Sequence, residues 1–376
     1  MPVFNKLVGF SCNNGNNGAT NNSEISKTGM GSSASLTTSF ITSLLGYFGA
    51  LGDGGTTTAE NLRPKTPVAK SLTNRNLGVI HNLTQIAHSL SQGKIGSGFD
   101  VSSAVYGSHI YTRFNEEIIT NFINGGKNGE ELVRLVDEDE NSNNTNPGAI
   151  WDNTKQRFTL PKGFYVIMAD IKGGSDTPSM SRNVMKYLQD NKGCGTSIWE
   201  DLRLANVAVL KAFQEIESLV VEDEEVYDIV LDYISDVHSS DWTNSIDKIS
   251  TNKTNKPQAS KVLNSIINLK SAFKTMRTNL KHLGVASSVP IEPNQQTKLA
   301  SSTESHVPGV LSCFVPGAGG YDAICCLSIC ESKTKHKIID YWEGYDEVGD
   351  EGGRTTVCPL LAEYDDGLGV ELIVEN

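Results

Sequence analysis

Residues 27 to 38 (Lys-Thr-Gly-Met-Gly-Ser-Ser-Ala-Ser-Leu-Thr-Thr) have the residue types and spacing of a phosphate-binding turn. Gly29 and Gly31 permit a tight backbone turn, and Ser32 and Ser33 stand where an apolar helical pattern begins. A helix start offers unpaired N–H groups and the positive end of the helix dipole, which attract phosphate, and glycine leaves that backbone open. Taken alone, the turn is equally compatible with an ordinary N-capped helix.

Two familiar phosphate-binding motifs are excluded for this turn. No lysine follows the second glycine, as the Gly-x-x-x-x-Gly-Lys-Ser/Thr loop requires. No apolar strand precedes the turn, as a dinucleotide-binding fingerprint requires. The chemistry must therefore be judged together with the rest of the chain.

A second candidate segment spans residues 92–100 (Gln-Gly-Lys-Ile-Gly-Ser-Gly-Phe-Asp) at the end of a predicted helix. Asp100 has the type of side chain that orients or deprotonates a nucleophile in phosphoryl transfer. Lys94 can neutralise phosphate charge as a point cation. The alternative is that Asp100 bonds its own turn backbone and Lys94 is merely solvated.

A third candidate segment spans residues 315–324 (Val-Pro-Gly-Ala-Gly-Gly-Tyr-Asp-Ala-Ile). Its glycines, Gly317, Gly319 and Gly320, would let backbone amides approach an anion or another backbone closely. An ordinary hairpin turn needs only one or two glycines, so the segment favours a functional loop over a simple hairpin.

The composition restricts the class of protein. Hydrophobic residues make up 38% and charged residues 20% of 376 residues, which suits a globular protein long enough for two domains. The net charge of −12 argues against nucleic acid or an anionic membrane surface as a partner. The odd count of seven cysteines predicts reduced, buried thiols and a cytoplasmic location, and no cysteine or histidine spacing indicates zinc. Without a spanning stretch or a secretory signal, no membrane insertion is expected.

Hydrophobic periodicity predicts helices and strands in an α+β arrangement without internal repeats. Helices are predicted at about 33–50, 76–92, 181–191, 197–218, 224–236 and 259–283. Gly93 and Gly284 are interpreted as the stops of two of these helices. The apolar face of the second helix is predicted to consist of Ile80, Leu83, Ala87 and Leu90. Strands are predicted at 164–171, 309–316 and 323–330.

The predicted organisation has three parts. Residues 1–26 include a polar, asparagine-rich tract and are predicted to be disordered. Residues 27–160 form a first domain and residues 161–376 a second. The acidic and asparagine-rich residues 137–147 are predicted to be a surface loop or inserted linker.

The three segments together resemble the GHMP kinase superfamily and, within it, the phosphomevalonate kinases of the fungal type. The strings that carry the resemblance are Lys-Thr-Gly-x-Gly-Ser-Ser-Ala at 27, Gln-Gly-Lys-x-Gly-Ser-Gly-Phe-Asp at 92 and Pro-Gly-Ala-Gly-Gly-Tyr-Asp-Ala at 316. Shorter similarities occur at 80–83, 87–88, 106–108, 170–175, 291–293 and 296–297. The resemblance covers most of residues 27–330, and its middle string is specific to this branch.

The resemblance implies a ribosomal-protein-S5-like N-terminal domain, here incomplete, and a ferredoxin-like C-terminal domain. It implies transfer of the ATP γ-phosphoryl group to the phosphate of 5-phosphomevalonate, with ATP and Mg²⁺, by a monomer or homodimer. Because the acceptor is already a phosphate, the catalytic carboxylate, Asp100, would mainly position it and balance charge. The ATP phosphates would be held by Lys27, Gly29, Gly31, Ser32, Ser33 and Ala34, with Ser33 also contacting Mg²⁺. The substrate would be bound by Lys94, Ser97, Gly98, Lys172, Ser175, Gly317, Gly319 and Gly320.

The sequence departs from the family pattern in two respects. The helix predicted at 76–92 contains no Asp or Glu, although some relatives supply a metal-binding carboxylate there. Only 26 residues precede Lys27, and no Pro-Gly-Lys string occurs in the sequence, although the family has a strand with this signature. Helices 33–50 and 76–92 are therefore expected to expose apolar faces that would normally pack on a sheet.

Three interpretations of these departures remain. The chain is a truncated gene model or fragment of a phosphomevalonate kinase, a kinase-derived binding or regulatory protein that has lost catalysis, or another GHMP enzyme. The third is disfavoured by the Gly-Ser-Gly-Phe-Asp string. For the sequence as it stands, we expect little or no phosphoryl transfer.

Overall fold

A computed structural model provides the structure of this chain. It describes residues 31–51, 68–70, 72–126, 128–137, 151–171, 177–249, 255–347, 355–360 and 369–374. These residues belong to two compact units: the first contains the described residues of 31–159 and 369–374, and the second contains those of 160–360. The predicted loop at 137–147 lies outside the described residues, except for Asp137.

The described elements are helices and antiparallel strands, so the α+β class is confirmed. The helices are α1 (Ser32–Tyr47), α2 (Asn74–Gln92), α3 (Phe99–Tyr106), α4 (Glu117–Asn124), α5 (Gly129–Val136), α6 (Thr177–Asp190), α7 (Cys194–Glu222), α8 (Glu224–Ile234), α9 (Ile246–Ile249), α10 (Lys256–Ser287), α11 (Asn294–His306) and α12 (Glu331–Glu343). The strands are β1 (Val68–Lys70), β2 (His109–Thr112), β3 (Thr154–Arg157), β4 (Phe164–Ile171), β5 (Val310–Phe314), β6 (Ala323–Ile329), β7 (Val357–Leu360) and β8 (Leu372–Val374). Among the residues described, no helix is long and apolar enough to cross a membrane.

The first unit is built around three helices. α1, α2 and α3 pack on one another through a buried apolar cluster made of Ala34, Leu51, Ile80, Val101 and Val105. Antiparallel β2 and β3 lie in the same unit, and β8 pairs antiparallel with β1. Backbone pairing with β1 places β8 in the first unit. The domain division at residues 160 and 161 stays a prediction.

Local signals at both ends of α2 explain its boundaries. The Thr73 side chain caps the start by accepting from the Asn76 N–H at 3.2 Å. Gly93 ends the helix in the left-handed conformation at φ 64°, where glycine is favoured. The predicted stop at Gly93 is therefore confirmed.

The exposed faces of α1 and α2 differ. α1 exposes an apolar stripe at helical spacing, consisting of Leu36, Phe40, Leu44, Tyr47 and Phe48, as expected. On α2 the predicted apolar face is only partly right, because Ile80 is fully buried whereas Leu90 is exposed. Most of the side chains that α2 buries are polar, namely Asn76, His81, Asn82, Thr84, Gln85 and Ser89. This polar face packs inside the unit and bears on the candidate site.

The second unit contains a four-stranded antiparallel sheet with the strand order β5-β6-β4-β7. In chain order a strand, a helical segment, two adjacent strands, a helix and a final strand follow one another, which is the ferredoxin-like βαββαβ pattern. α11 and α12 pack on the sheet, and all residues of β6 are buried. The predicted strands at 164–171, 309–316 and 323–330 are confirmed, and Cys313, Cys325 and Cys326 are buried free thiols.

Gly284 does not stop its helix, contrary to the prediction. α10 continues through it to Ser287 and ends at Ser288, which is left-handed at φ 55°. A side chain on Gly284 would place its Cβ 2.8 Å from the Val289 carbonyl oxygen and 3.4 Å from Ile291 Cβ. Glycine is therefore needed at this position because the chain that follows α10 packs closely against the helix.

Candidate active site

The turn singled out in the sequence forms the N-terminus of α1. Gly31 is the N-cap residue, is left-handed at φ 70°, and no side chain caps this helix among the residues described. Ser32, Ser33 and Ala34 make up the first helical turn, whose backbone N–H groups have no partner within the helix. Because the dipole also favours negative charge at this end, the turn has the chemistry of an anion cradle.

The second sequence motif lies beside this turn. A Cβ built on Gly31 would lie 3.3 Å from Asp100 Cβ, so the carboxylate residue adjoins the helix start. Asp100 is in the first turn of α3, and its Oδ1 accepts from the Val101 N–H at 2.9 Å. The structure thus brings together two motifs that are distant in sequence, and the glycine leaves the space between them open.

Ser33 is held by the α2 side chains of His88 and Gln92, neither of which is among the predicted site residues. Its Oγ lies 3.1 Å from Nε2 of His88, and Gln92 Nε2 donates to it at 3.2 Å. The Gln92 nitrogen also lies 2.9 Å from His88 Nε2, which accepts because an amide nitrogen can only donate. The i, i+4 spacing of the two residues on a predicted helix is the signal that could have placed them on one face.

The predicted substrate contacts in the turn between α2 and α3 differ in solvent exposure. Lys94 and Ser97 are exposed, whereas Gly98 is buried. The Tyr111 hydroxyl donates to the Ser97 carbonyl at 3.3 Å and so supports this turn. Burial, aided by the nearby charge of Asp100, raises the pKa of Tyr111 to about 12. Tyr111 therefore remains a neutral donor near Asp100 at physiological pH.

The glycine-rich loop belongs to the second unit, where its three glycines have different surroundings. All three have positive φ, but Gly317 is exposed, and a Cβ there would meet nothing within 4 Å. Gly320 donates its N–H to the Ile291 carbonyl at 2.9 Å, and a side chain on Gly319 would collide with that carbonyl oxygen. The loop is thus seated on the Ile291 backbone, and Gly317 is its accessible glycine.

A buried ion-pair network supports the segment on which the loop is seated. Arg277 from α10 donates to Glu292 at 2.8 Å and to Glu304 at 3.0 Å. Glu304 also accepts from the Cys313 N–H at 2.8 Å, and Thr297 donates to Glu292 at 3.1 Å. The Glu292 side chain is only 3% exposed, so the network ties α10, α11 and β5 together beneath the loop.

Four predicted site residues, Lys27, Gly29, Lys172 and Ser175, lie outside the described residues. Their proposed contacts with ATP phosphates and substrate remain predictions. Within the first unit the observed constellation is the Gly31 turn, Ser33 with its two α2 partners, and Asp100.

An uncapped, glycine-preceded helix start beside a carboxylate has the chemistry of a phosphate-binding site. Comparison with known proteins then shows which proteins the chain is similar to. The chain is 33% identical to the peroxisomal phosphomevalonate kinase of Arabidopsis thaliana over 330 residues, covering 88% of this chain and 60% of that protein. It is 31% identical to the phosphomevalonate kinase of Candida albicans over 309 residues, covering 81% of this chain and 57% of that protein. The chain is therefore related to the phosphomevalonate kinases along most of its own length.

The remaining comparisons show how much of each related protein the chain covers. The phosphomevalonate kinase erg8 of Aspergillus fumigatus is 31% identical over 93% of this chain, which covers 60% of that protein. The chain thus spans about 60% of the length of the curated relatives it matches. No protein-family model matches the chain. A Lin0012 protein from Listeria innocua has a similar fold, with a TM-score of 0.52, 17% identity and coverage of 93% of this chain and 70% of that one.

Proposed function

We propose that this chain supplies the phosphate-binding turn and catalytic carboxylate of a phosphomevalonate kinase. The reaction moves the γ-phosphoryl group of ATP onto the phosphate of 5-phosphomevalonate. A new P–O bond forms to an acceptor phosphate oxygen, and the bond between the γ-phosphorus and the β–γ bridging oxygen breaks to release ADP. The observation that carries this proposal is a short distance: Asp100 Cβ lies 3.3 Å from the position that a Cβ on Gly31 would occupy. The chain in which this occurs is related to these kinases.

Each residue of the first unit has a role derived from its position. The N–H groups that follow Gly31 donate to nucleotide phosphates, and glycine keeps the approach open. An acceptor phosphate is already ionised, so Asp100 has little proton to remove. It instead orients the acceptor relative to the γ-phosphate and limits how the attacking oxygen approaches. Lys94 and Ser97, both exposed, are the proposed contacts for the acceptor.

The described residues suit Mg²⁺ only if the phosphates of the nucleotide provide most of its ligands. No group of three or more His, Cys, Asp or Glu side chains that could bind a metal occurs in the described part of the chain. Mg²⁺ commonly binds through one or two protein oxygens together with phosphates and water, so the Ser33 hydroxyl and the Asp100 carboxylate are sufficient candidates. When bound, the ion would neutralise charge that develops on the phosphate oxygens.

The cellular setting is also proposed. The cysteine content and the absence of a spanning helix in the described residues are compatible with a cytoplasmic enzyme, although the Arabidopsis relative is named as peroxisomal. The net charge of −12 supports the proposal that neither nucleic acid nor an anionic membrane surface is a partner. A monomer or homodimer is proposed from the family resemblance alone.

The phosphate-binding role is tested by a matched pair of glycine substitutions on α1. Gly31 and Gly49 lie at opposite ends of this helix, and both have φ 70°, so alanine imposes similar backbone strain at each. We expect Gly31→Ala to weaken MgATP binding at least about tenfold, or about 1.4 kcal/mol, because its Cβ enters the phosphate approach. Gly49→Ala, whose Cβ would meet nothing within 4 Å, should leave affinity unchanged in isothermal titration calorimetry. Equal affinities for the two folded variants would refute the role of the turn.

A further inference from the structure

The polar face of α2 contains a buried hydrogen-bond relay that ends at the start of α3. Gln85 donates from Nε2 to the Gly98 carbonyl at 2.7 Å, and the same nitrogen lies 3.2 Å from Nε2 of His81. His81 in turn places Nδ1 2.9 Å from Oδ1 of Asn82. All three side chains are no more than 2% exposed. Resting on the proposed function, we propose that Gln85, held by His81, is a positioning residue that sets the direction of Asp100.

The direction of every hydrogen bond in the relay follows from the Gly98 carbonyl. A carbonyl oxygen only accepts, so the Gln85 atom facing it must be the amide nitrogen. The second hydrogen of that nitrogen faces His81 Nε2, which must therefore carry a lone pair. His81 is then the Nδ1–H tautomer and donates to Asn82 Oδ1. Only one arrangement of protons satisfies all three contacts.

The environment keeps His81 in the neutral form that the relay requires. Burial, aided by the nearby positive charge of Lys155, lowers the pKa of His81 to about 3 even though the hydrogen bond with Asn82 opposes the shift. A protonated ring would point an N–H at the Gln85 amide nitrogen, which cannot accept. The relay is therefore a fixed support at physiological pH.

The relay acts on Asp100 through the first turn of α3. Gly98 is the N-cap of α3, and its carbonyl accepts the helix-starting bond from the Ser102 N–H at 3.0 Å as well as the Gln85 bond. A Cβ on Gly98 would lie 2.7 Å from the Gln85 amide and 2.8 Å from Phe114 Cε1, so the two parts are in close contact. Asp100 follows two residues later. Loss of the Gln85 bond would free this turn to rotate, and Asp100 would move relative to the Gly31 turn.

The test compares Gln85→Met, which keeps the length of the side chain but cannot donate, with Thr84→Val as a control. Thr84 is the buried neighbour of Gln85 on α2, and its hydroxyl has no hydrogen-bond partner among the residues described. We expect Gln85→Met to lower kcat about 10- to 100-fold while KM for ATP changes less than about threefold, as for a misplaced catalytic group. Thr84→Val should change neither. A folded Gln85→Met protein with unchanged kcat would overturn the proposal.

A second measurement, by NMR, tests the hydrogen bonds of the relay without requiring catalytic turnover. In the long-range ¹⁵N–¹H spectrum His81 should be the Nδ1–H tautomer, and the Asp100 carboxyl ¹³C signal should shift in Gln85→Met but not in Thr84→Val. If wild type forms no product, the proposed function fails, whereas these signals still decide whether Gln85 positions Asp100. An Nε2–H tautomer or an unmoved Asp100 signal would refute the relay.

A variant pair at His81 covers the case in which Gln85→Met does not fold. His81→Gln retains an oxygen that can accept from Gln85, and His81→Met does not. We expect His81→Gln to keep the Asp100 signal close to that of wild type and His81→Met to shift it. Equal signals in the two variants would contradict the relay.

Discussion

The contact between Gly98 and the Gln85 amide makes Gly98→Ala a sharp test of how the site is packed. Gly98 is left-handed at φ 74°, a conformation that costs a residue with a side chain about 1–2 kcal/mol. Its new Cβ would lie 2.7 Å from the Gln85 amide, which can move only by giving up its bond to the Gly98 carbonyl. The new Cβ would also lie 2.8 Å from Phe114 Cε1, and the Phe114 ring packs against Trp151 at a ring-centroid distance of 4.9 Å.

The expected loss of stability is the sum of the cost of overpacking and the cost of backbone strain. Inserting a methyl group into a well-packed site costs about 1–3 kcal/mol, so the expected loss is about 2–5 kcal/mol. Gly93→Ala is the matched control, because Gly93 has φ 64° but its Cβ would meet nothing within 4 Å. This control should cost about 1–2 kcal/mol from strain alone.

Native-state hydrogen exchange of α2 and α3 amides follows the first unit by itself and is the appropriate assay. Gly98→Ala should lower the opening free energy of α3 by more than Gly93→Ala does. Equal losses in the two variants, or a smaller loss for Gly98→Ala, would refute the packing derived for this turn.

Three further predictions concern pH, the ion-pair network and the exposed stripe. His81 has a pKa of about 3 when folded and about 6.5 when unfolded, so the unfolded state takes up a proton first as pH falls. Between pH 7 and 5 the first unit should lose about 2 kcal/mol of stability in urea titrations, and His81→Gln should remove this dependence. Arg277→Met leaves Glu292 buried without its cation and should cost about 3–5 kcal/mol, measured by thermal unfolding, with Glu292→Gln restoring part of it. Phe40→Ser with Phe48→Ser should reduce self-association in sedimentation velocity, with stability changed by under about 0.5 kcal/mol, because both side chains are more than 60% exposed.

The elements that the sequence predicted correctly are those with strong local signals. β4 and α2 have clear periodicity, and Gly93 marks a left-handed helix end. α10 extends beyond the end predicted at Gly284. Glycine is required there because the helix packs closely against Val289, and no local sequence pattern shows this contact. β8 could not be assigned to its unit because its partner β1 is far away in the sequence, and no local pattern predicts this pairing.

The candidate site was predictable in part for the same reason. The Gly31 turn and Asp100 were recognisable as motifs, and the structure shows that they adjoin. The roles of His88 and Gln85 depend on which face of α2 is buried. That face is largely polar, whereas hydrophobic periodicity predicts a face of Ile80, Leu83, Ala87 and Leu90, of which only Ile80 is buried. Tertiary packing, rather than local sequence, therefore selects the side chains that support Asp100.

The most direct test of the central claim is phosphoryl transfer followed by ³¹P NMR with MgATP and 5-phosphomevalonate, for wild type and Asp100→Asn. The account predicts that wild type forms ADP and the diphosphate slowly, in keeping with the little transfer expected from the sequence, and that Asp100→Asn is about 100-fold slower because orientation of the acceptor is lost. Equal product formation by both proteins would contradict the role of Asp100. Binding of both ligands with no transfer by wild type would contradict the proposed kinase activity and favour a kinase-derived binding protein.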